Sequence, residues 1–319
     1  MGCSMGALSK LLVEPGTSAY TFDSSSERYD FLYEDIQKSG RLIGGRAITG
    51  TRSAYANRMR QGHYLVSGRL ATYTCAADLH AWLPRICGAS ETGTGTFELG
   101  ELISGTDEEF GILIDRVGGI FQYDNCKVDS CFWRGQAAPG DAEPELIEQV
   151  LNIVSKEETL GTSWPSPEPS LSVADNRLPY IMADGTLTIG GTPYNFKSFV
   201  LLFDNRLQVR WVNSLAPNII CAGDRVVMLR VTFPFTASND AVFSGLYQHA
   251  SRHDGVSASL TFAVSGKGIS TTFTFTGLQW VQSSPVVSGK REIDLTLDFV
   301  CRKTAVSTDE LVVTNDRTT

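Results

Sequence analysis

Two histidines four residues apart, His249 and His253, with Asp254 beside the second, form the one cluster in this sequence that could share a metal ion. On a helix such a pair presents both imidazoles to one side, and the carboxylate would supply a third ligand. The surroundings argue for a solvated helix end instead. Gly255 and polar neighbours follow, and no glutamate comes directly after the first histidine, as the zinc-protease signature requires. Gly93-Thr94-Gly95-Thr96-Phe97 lacks the lysine and spacing of a phosphate loop and is expected to be a surface turn. Asp107, Glu108 and Glu109 offer carboxylates for glycoside hydrolysis, but contiguous acids are usually a solvated loop. No G-x-S-x-G nucleophile elbow occurs. The sequence therefore predicts no catalytic residue, no metal ligand and no cofactor. A metal-dependent enzyme at His249 and His253 stands as a third reading.

Composition narrows the classes further. Of 319 residues, 42% are hydrophobic and 19% charged, which excludes disorder across the whole chain. The formal net charge of −8 argues against a protein that grips nucleic-acid phosphates, and permits one that must not stick to them. Seven scattered cysteines, odd in number and without a C-x-x-C, support neither a disulfide framework nor a zinc ribbon; they are expected to be small buried hydrophobes. The best apolar run, Phe199-Val200-Leu201-Leu202-Phe203, is far too short to span a membrane as a helix. The opening Met1-Gly2-Cys3-Ser4-Met5-Gly6 misses the Ser or Thr of a myristoylation signal. No membrane partner is expected, and the chain is expected to be cytosolic or cytosol-assembled.

The elements that must position any site are mostly strands. Val226 to Phe233, Ser257 to Val264 and Ser270 to Val281 are rich in β-branched and aromatic residues. Arg291 to Arg302 alternates strictly: Ile293, Leu295, Leu297 and Phe299 on one face, Glu292, Asp294, Thr296 and Asp298 on the other. Helical spacing is scarce. Leu79, Trp82, Leu83 and Ile86 share one face of a predicted helix over Ala76 to Cys87, with Thr74 as a possible cap and Gly88 as its stop. A weaker helix is predicted over Ser238 to Gln248, packed through Val242, Phe243 and Leu246.

The two helices expose an internal repeat. Thr74 overlays Thr236, and the strands before them match, His63 to Thr72 over Arg225 to Pro234. Downstream, Asn125-Cys126-Lys127-Val128 meets Gly277-Leu278-Gln279-Trp280, and Leu151 to Lys156 meets Leu297 to Arg302. The offset shortens along the chain, as indels in loops would make it. The expected organisation is a first domain over residues 1–163, a proline-rich linker over 164–178, a second domain over 179–304 and a polar arm over 305–319. The polar stretch Ser24 to Gln61 finds no counterpart in the second copy. On the end strands the outward residues Glu148, Asn152, Asp294, Thr296 and Asp298 make an acidic face, with Glu145 and Gln149 as neighbours in a looser register. Such a wall would repel a polyanion.

Three stretches resemble the major tail tube protein of long, flexible-tailed bacteriophages in its tandem-domain form. They are His63-Tyr64-Leu65-Val66-Ser67-Gly68-Arg69-Leu70 leading into the first helix, Phe121 to Ser130, and Leu187-Thr188-Ile189-Gly190-Gly191 followed by Phe196-Lys197-Ser198-Phe199 and Asp204-Asn205. The resemblance implies two tandem β-barrel or sandwich domains, each flanked by one α-helix. It implies trimeric rings of pseudo-sixfold symmetry stacked into a virion tail tube, through whose lumen DNA is ejected without specific binding. The implied partners are the chain itself and the tail-tip, tape-measure and tail terminator proteins. It makes Glu148, Asn152, Asp294, Thr296 and Asp298 lumen-facing. The alternative is a β-sandwich binding module, a tail-tip or carbohydrate-binding adhesin component, with Trp133, Trp164 and Trp211 as its aromatic platform.

Overall fold

The computed structural model describes residues 6–16, 20–44, 59–93, 95–100, 109–137, 145–171, 175–234, 245–246, 249, 252–281, 284–285 and 293–317. The first elements are β1 (Lys10–Pro15), β2 (Glu27–Tyr29), β3 (Tyr33–Glu34), β4 (Gln37–Gly44), β5 (Met59–Tyr73), α1 (Ala76–Cys87), β6 (Thr96–Phe97), β7 (Phe110–Asp115), β8 (Ile120–Gln136), β9 (Glu148–Ser155) and β10 (Glu157–Leu160). They are followed by β11 (Gly185–Ile189), β12 (Thr192–Tyr194), β13 (Ser198–Asp204), β14 (Gln208–Arg210), β15 (Ile219–Cys221), β16 (Val226–Pro234), β17 (Val256–Val264), β18 (Ile269–Trp280), β19 (Asp294–Cys301) and β20 (Leu311–Asp316). The fold is mainly β, in keeping with a sandwich, and α1 is the one α-helix among the described residues. Of the second predicted helix, Val242 and Phe243 lie outside the described residues; Leu246 is fully buried, and its carbonyl accepts a hydrogen bond from Trp280 Nε1 at 2.9 Å.

One pairing scheme occurs twice. In the first half β5 pairs with β9, β8 with β9, β7 with β8, β1 with β7, β2 with β1 and β10 with β8, all antiparallel. In the second half β16 pairs with β19, β18 with β19, β17 with β18, β11 with β17, β12 with β11 and β20 with β18. The segment without a sequence counterpart also finds its place: β3 and β4 lie along β5 as β13 lies along β16. The ladders correct the overlay of the preceding strands by one residue. Buried Leu70 sits opposite Leu151, and buried Val231 opposite Leu297, so Leu70 corresponds to Val231 rather than Thr232. A slip of one position exchanges the faces of a strand, and core burial decides the matter.

The halves share one sheet. β8 is long enough to serve two neighbourhoods: its start pairs with β7 and β10, and its end with β9 and β13. The β8–β13 ladder runs from Ser198↔Gln136 to Asp204↔Ser130, so strands follow one another without a break as β4–β5–β9–β8–β13–β16–β19. Behind this sheet Trp133 meets Phe273 at 5.1 Å between ring centroids, inside a single contiguous apolar core.

Helix α1 buries Leu79, Trp82, Leu83 and Ile86 completely. Trp82 packs edge-on to Phe110 of β7 and tilted on Tyr29 of β2, both at 5.6 Å. Its N-cap is Cys75, without a side-chain cap bond, not Thr74; Gly88 closes the helix in the left-handed conformation at φ 74°, its N–H donating to Pro84 O. Burial pushes the Cys87 thiol up to about 12, which leaves it an inert packing group. The segment expected to be a polar arm is corrected as well. Within it β20 is a core strand, paired with both β18 and β6, with Leu311 and Val313 fully buried. Its alternating Leu311, Val313 and Asn315 supply the inward face that the polar composition of 305–319 concealed. The proline-rich segment lies against the first half: Glu168 accepts from Lys10 at 2.9 Å and from Arg28 at 2.6 Å, and the Lys10 ammonium sits over the Trp164 ring.

Candidate functional surface

The broad outer face of the continuous sheet carries every predicted lumen-facing residue. Alternation puts Leu295, Leu297, Phe299 and Cys301 of β19 inside, and Asp294, Thr296 and Asp298 outside. On β9 the outward positions are Glu148 and Asn152, while Gln149 points into the core and accepts from Trp133 Nε1 at 2.9 Å. Three rows cross the face. One reads Glu148, Arg134, Val200, Arg230, Asp298. The next is apolar: Ala71, Val150, Phe132, Leu202, Met228, Val300. A third begins Arg69, Asn152, Ser130, Asp204.

This face is not an acidic wall. Each predicted carboxylate is matched by a base on an adjoining strand or its flank. Arg134 reaches Glu148 with Nε at 2.7 Å and Nη2 at 2.5 Å. Arg230 reaches Asp298 with Nε at 2.5 Å and Nη2 at 3.2 Å. Lys197 Nζ donates to Asp294 at 2.6 Å, and Thr232 and Thr296 hydroxyls meet at 3.1 Å. Asn152 Nδ2 donates to Ser130 Oγ at 2.7 Å. Arg69, opposite Asn152, turns to Asp35 with Nε at 2.9 Å and Nη2 at 2.6 Å. That hydrogen bond holds the Asp35 carboxyl below its ordinary value of 3.8, and the bond to Asp298 raises the Arg230 guanidinium. Strand alternation in Val226 to Phe233 already placed Arg230 on the side of Val226, Met228 and Thr232. The sequence reading missed it because it took strands one at a time.

The other candidates do not converge. Among the described residues no group of three or more His, Cys, Asp and Glu could hold a metal. His249 packs its ring on Trp280 at 5.5 Å, and His253 offers only its carbonyl, to Gln279 Nε2. Glu109 neutralises Lys127 and Lys156; Asp107 and Glu108 lie outside the described residues. Trp133 is core, Trp164 lies under Lys10, and Trp211 donates Nε1 to Tyr64 O at 3.1 Å, so the three indoles share no platform.

The sheet thus has two distinct faces, an apolar core behind it and ion-paired rows in front. The sequence matches the model of the phage tail tube protein family over residues 14–301. The chain belongs to the phage tail tube protein family. It is thus a structural protein of the virion tail. No curated protein matches it. No helix among the described residues is long and apolar enough to cross a membrane.

Proposed function

We propose that this chain is a self-assembling tube subunit built of two tandem tail-tube domains, residues 1–163 and 179–304 with β20 completing the second, joined by the 164–178 linker. Three chains make a ring of pseudo-sixfold symmetry, and rings stack head to tail. The observation that carries this reading is the doubled pairing scheme, with β8 and β13 already joining one copy of it to the other in a single sheet. Repeating that join around an axis closes a barrel, which removes exposed strand edges. Stacking is a heterologous contact that propagates without limit.

In this reading the outer face, with Glu148, Asn152, Asp294, Thr296 and Asp298, lines the lumen. Its charges are paired at short range, so a passing phosphate backbone meets little net field beyond the Debye length of about 8 Å at physiological salt. DNA is neither gripped nor strongly repelled. The tail-tip, tape-measure and terminator proteins remain the expected partners.

Electron microscopy of the purified protein across a concentration series tests assembly: hollow filaments or stacked rings with threefold or sixfold end views are expected. Thr296→Cys tests the face. In assembled tubes it should react with a small maleimide and resist one wider than the bore. Equal reaction with both would put Thr296 on the outside.

A further inference from the structure

The chain fills one junction of its repeat and leaves the matching one open. Within the chain, β13 occupies the outer edge of β16 and receives β8. In the same position β3 and β4 occupy the outer edge of β5, but their far side pairs with nothing among the described residues, and all eight residues of β4 are exposed. The ladder registers convert one junction into the other. Val231 faces Phe199 and Val226 faces Asp204, while Leu70 faces Glu34 and Leu65 faces Ser39. Asp204 therefore corresponds to Ser39, and Asn205 to Gly40. On the donor side Lys127 and Val128 face Val154 and Ile153, while Gln279 and Trp280 face Val300 and Phe299. Asp129 therefore corresponds to Val281.

Inside the chain this point is the hinge of the junction. Asp129 leaves the β8–β9 ladder at a register shift, and its carbonyl accepts the Asn205 N–H at 2.8 Å. Its carboxylate accepts the Leu207 N–H at 2.7 Å. Val281, the counterpart, is 76% exposed at the end of β18.

Leu278 to Trp280 are held by β19 on one side and by Val256, His253 and Arg252 on the other, so the free point is Val281. The geometry points to a specific seam between chains: Val281, where the chain leaves β18 in one copy, seats against Gly40 on the open β4 edge of a second copy. This rests on the ring reading above and adds which edges meet and in what register. The contact is heterologous, donor edge to acceptor edge, as ring closure needs. It also covers a long bare edge that would otherwise invite indiscriminate pairing. The seam differs from the internal junction in two respects. Gly40 has no side-chain amide like the one with which Asn205 donates to Val128 O at 3.1 Å. Valine brings no carboxylate, so the clamp that Asp129 places on the Leu207 N–H is missing between chains.

Two single variants of the full chain test it, Gly40→Cys and Val281→Cys. A Cβ at Gly40 meets only Tyr64 Cβ at 3.5 Å, so the first is tolerated locally. Mixed and assembled under mild oxidation, the two populations should give a covalent heterodimer on a non-reducing gel, absent from either population alone. The double variant should give a ladder of linked chains that stops at the closed ring. Rings seen by microscopy without this cross-link would overturn the seam and leave the ring reading standing. Absence of rings together with absence of cross-link would overturn both. A double variant that links only within one chain would overturn the seam as well, and a bis-maleimide spanning the same two positions repeats the test without dependence on disulfide geometry.

Discussion

Arg69 and Arg230 hold the same place in the two halves of the sheet, each facing outward one step before the buried Leu70 or Val231. They find their counter-charge on opposite sides. Arg230 takes it from Asp298 on the inner neighbour β19. Arg69 faces Asn152 there and takes it instead from Asp35, between β3 and β4 on the outer neighbour. Each half keeps the guanidinium neutralised, while the acid has moved two strands across. Neutrality of the face is thus a property of cross-strand triplets rather than of any strand.

The largest blow to this comparison comes from beneath it. Trp82→Ala removes the indole that joins α1 to β2 and β7, and should cost about 3–5 kcal/mol for a fully buried aromatic ring. An unchanged denaturation midpoint would show that the two halves do not depend on that packing. Asp129→Ala cuts the join between the halves at its charged hydrogen bond and should cost about 1–3 kcal/mol. Asp129→Asn, which keeps an acceptor, should recover part of that loss, and equal losses for both variants would show that the carboxylate does not clamp Leu207. A double-mutant cycle on Arg230 and Asp298 should return a coupling of about 0.2–1 kcal/mol, as exposed pairs do, falling with added salt. Coupling that ignores salt would contradict a solvent-facing pair.

The smallest effect sharpens the comparison by acid. Arg69 lowers the Asp35 pKa below 3.8, so this pair adds stability above that pH and loses it as pH falls through the lower, folded-state value. Asp35→Asn should therefore flatten the acid limb of the stability curve, while Asn152→Asp should not compensate unless Arg69 can turn inward. Identical acid limbs in wild type and Asp35→Asn would remove Asp35 as the partner.

Much of the fold was legible because its signals are local. The period-two pattern of Leu295, Leu297 and Phe299, and the spacing of Leu79, Trp82, Leu83 and Ile86, depend on nearest neighbours along the chain. The charge pairs do not. Arg230 and Asp298 are 68 residues apart, Lys197 and Asp294 are 97 apart, and Arg69 and Asp35 are 34 apart. An acidic strand was therefore visible, and the bases opposite it were not. The same reason hid β20. Its short apolar alternation is weak in isolation, and its partners β18 and β6 come from both halves. The one-residue error in overlaying β5 on β16 came from aligning residue types across a turn; only the ladder carries the register.

β20 also sets an order of events. Asn315 donates to the Ala76 carbonyl at the start of α1, 239 residues earlier, and its N–H donates to Gly95 O. Contacts of such separation close late, because the loop between them must first be drawn together. The corner around α1 and β6 consequently stays unfinished while the second half is still being synthesised and folded. A first half without β20 therefore lacks the strand that closes this corner, and the crossing strand ties the finish of one half to the arrival of the other.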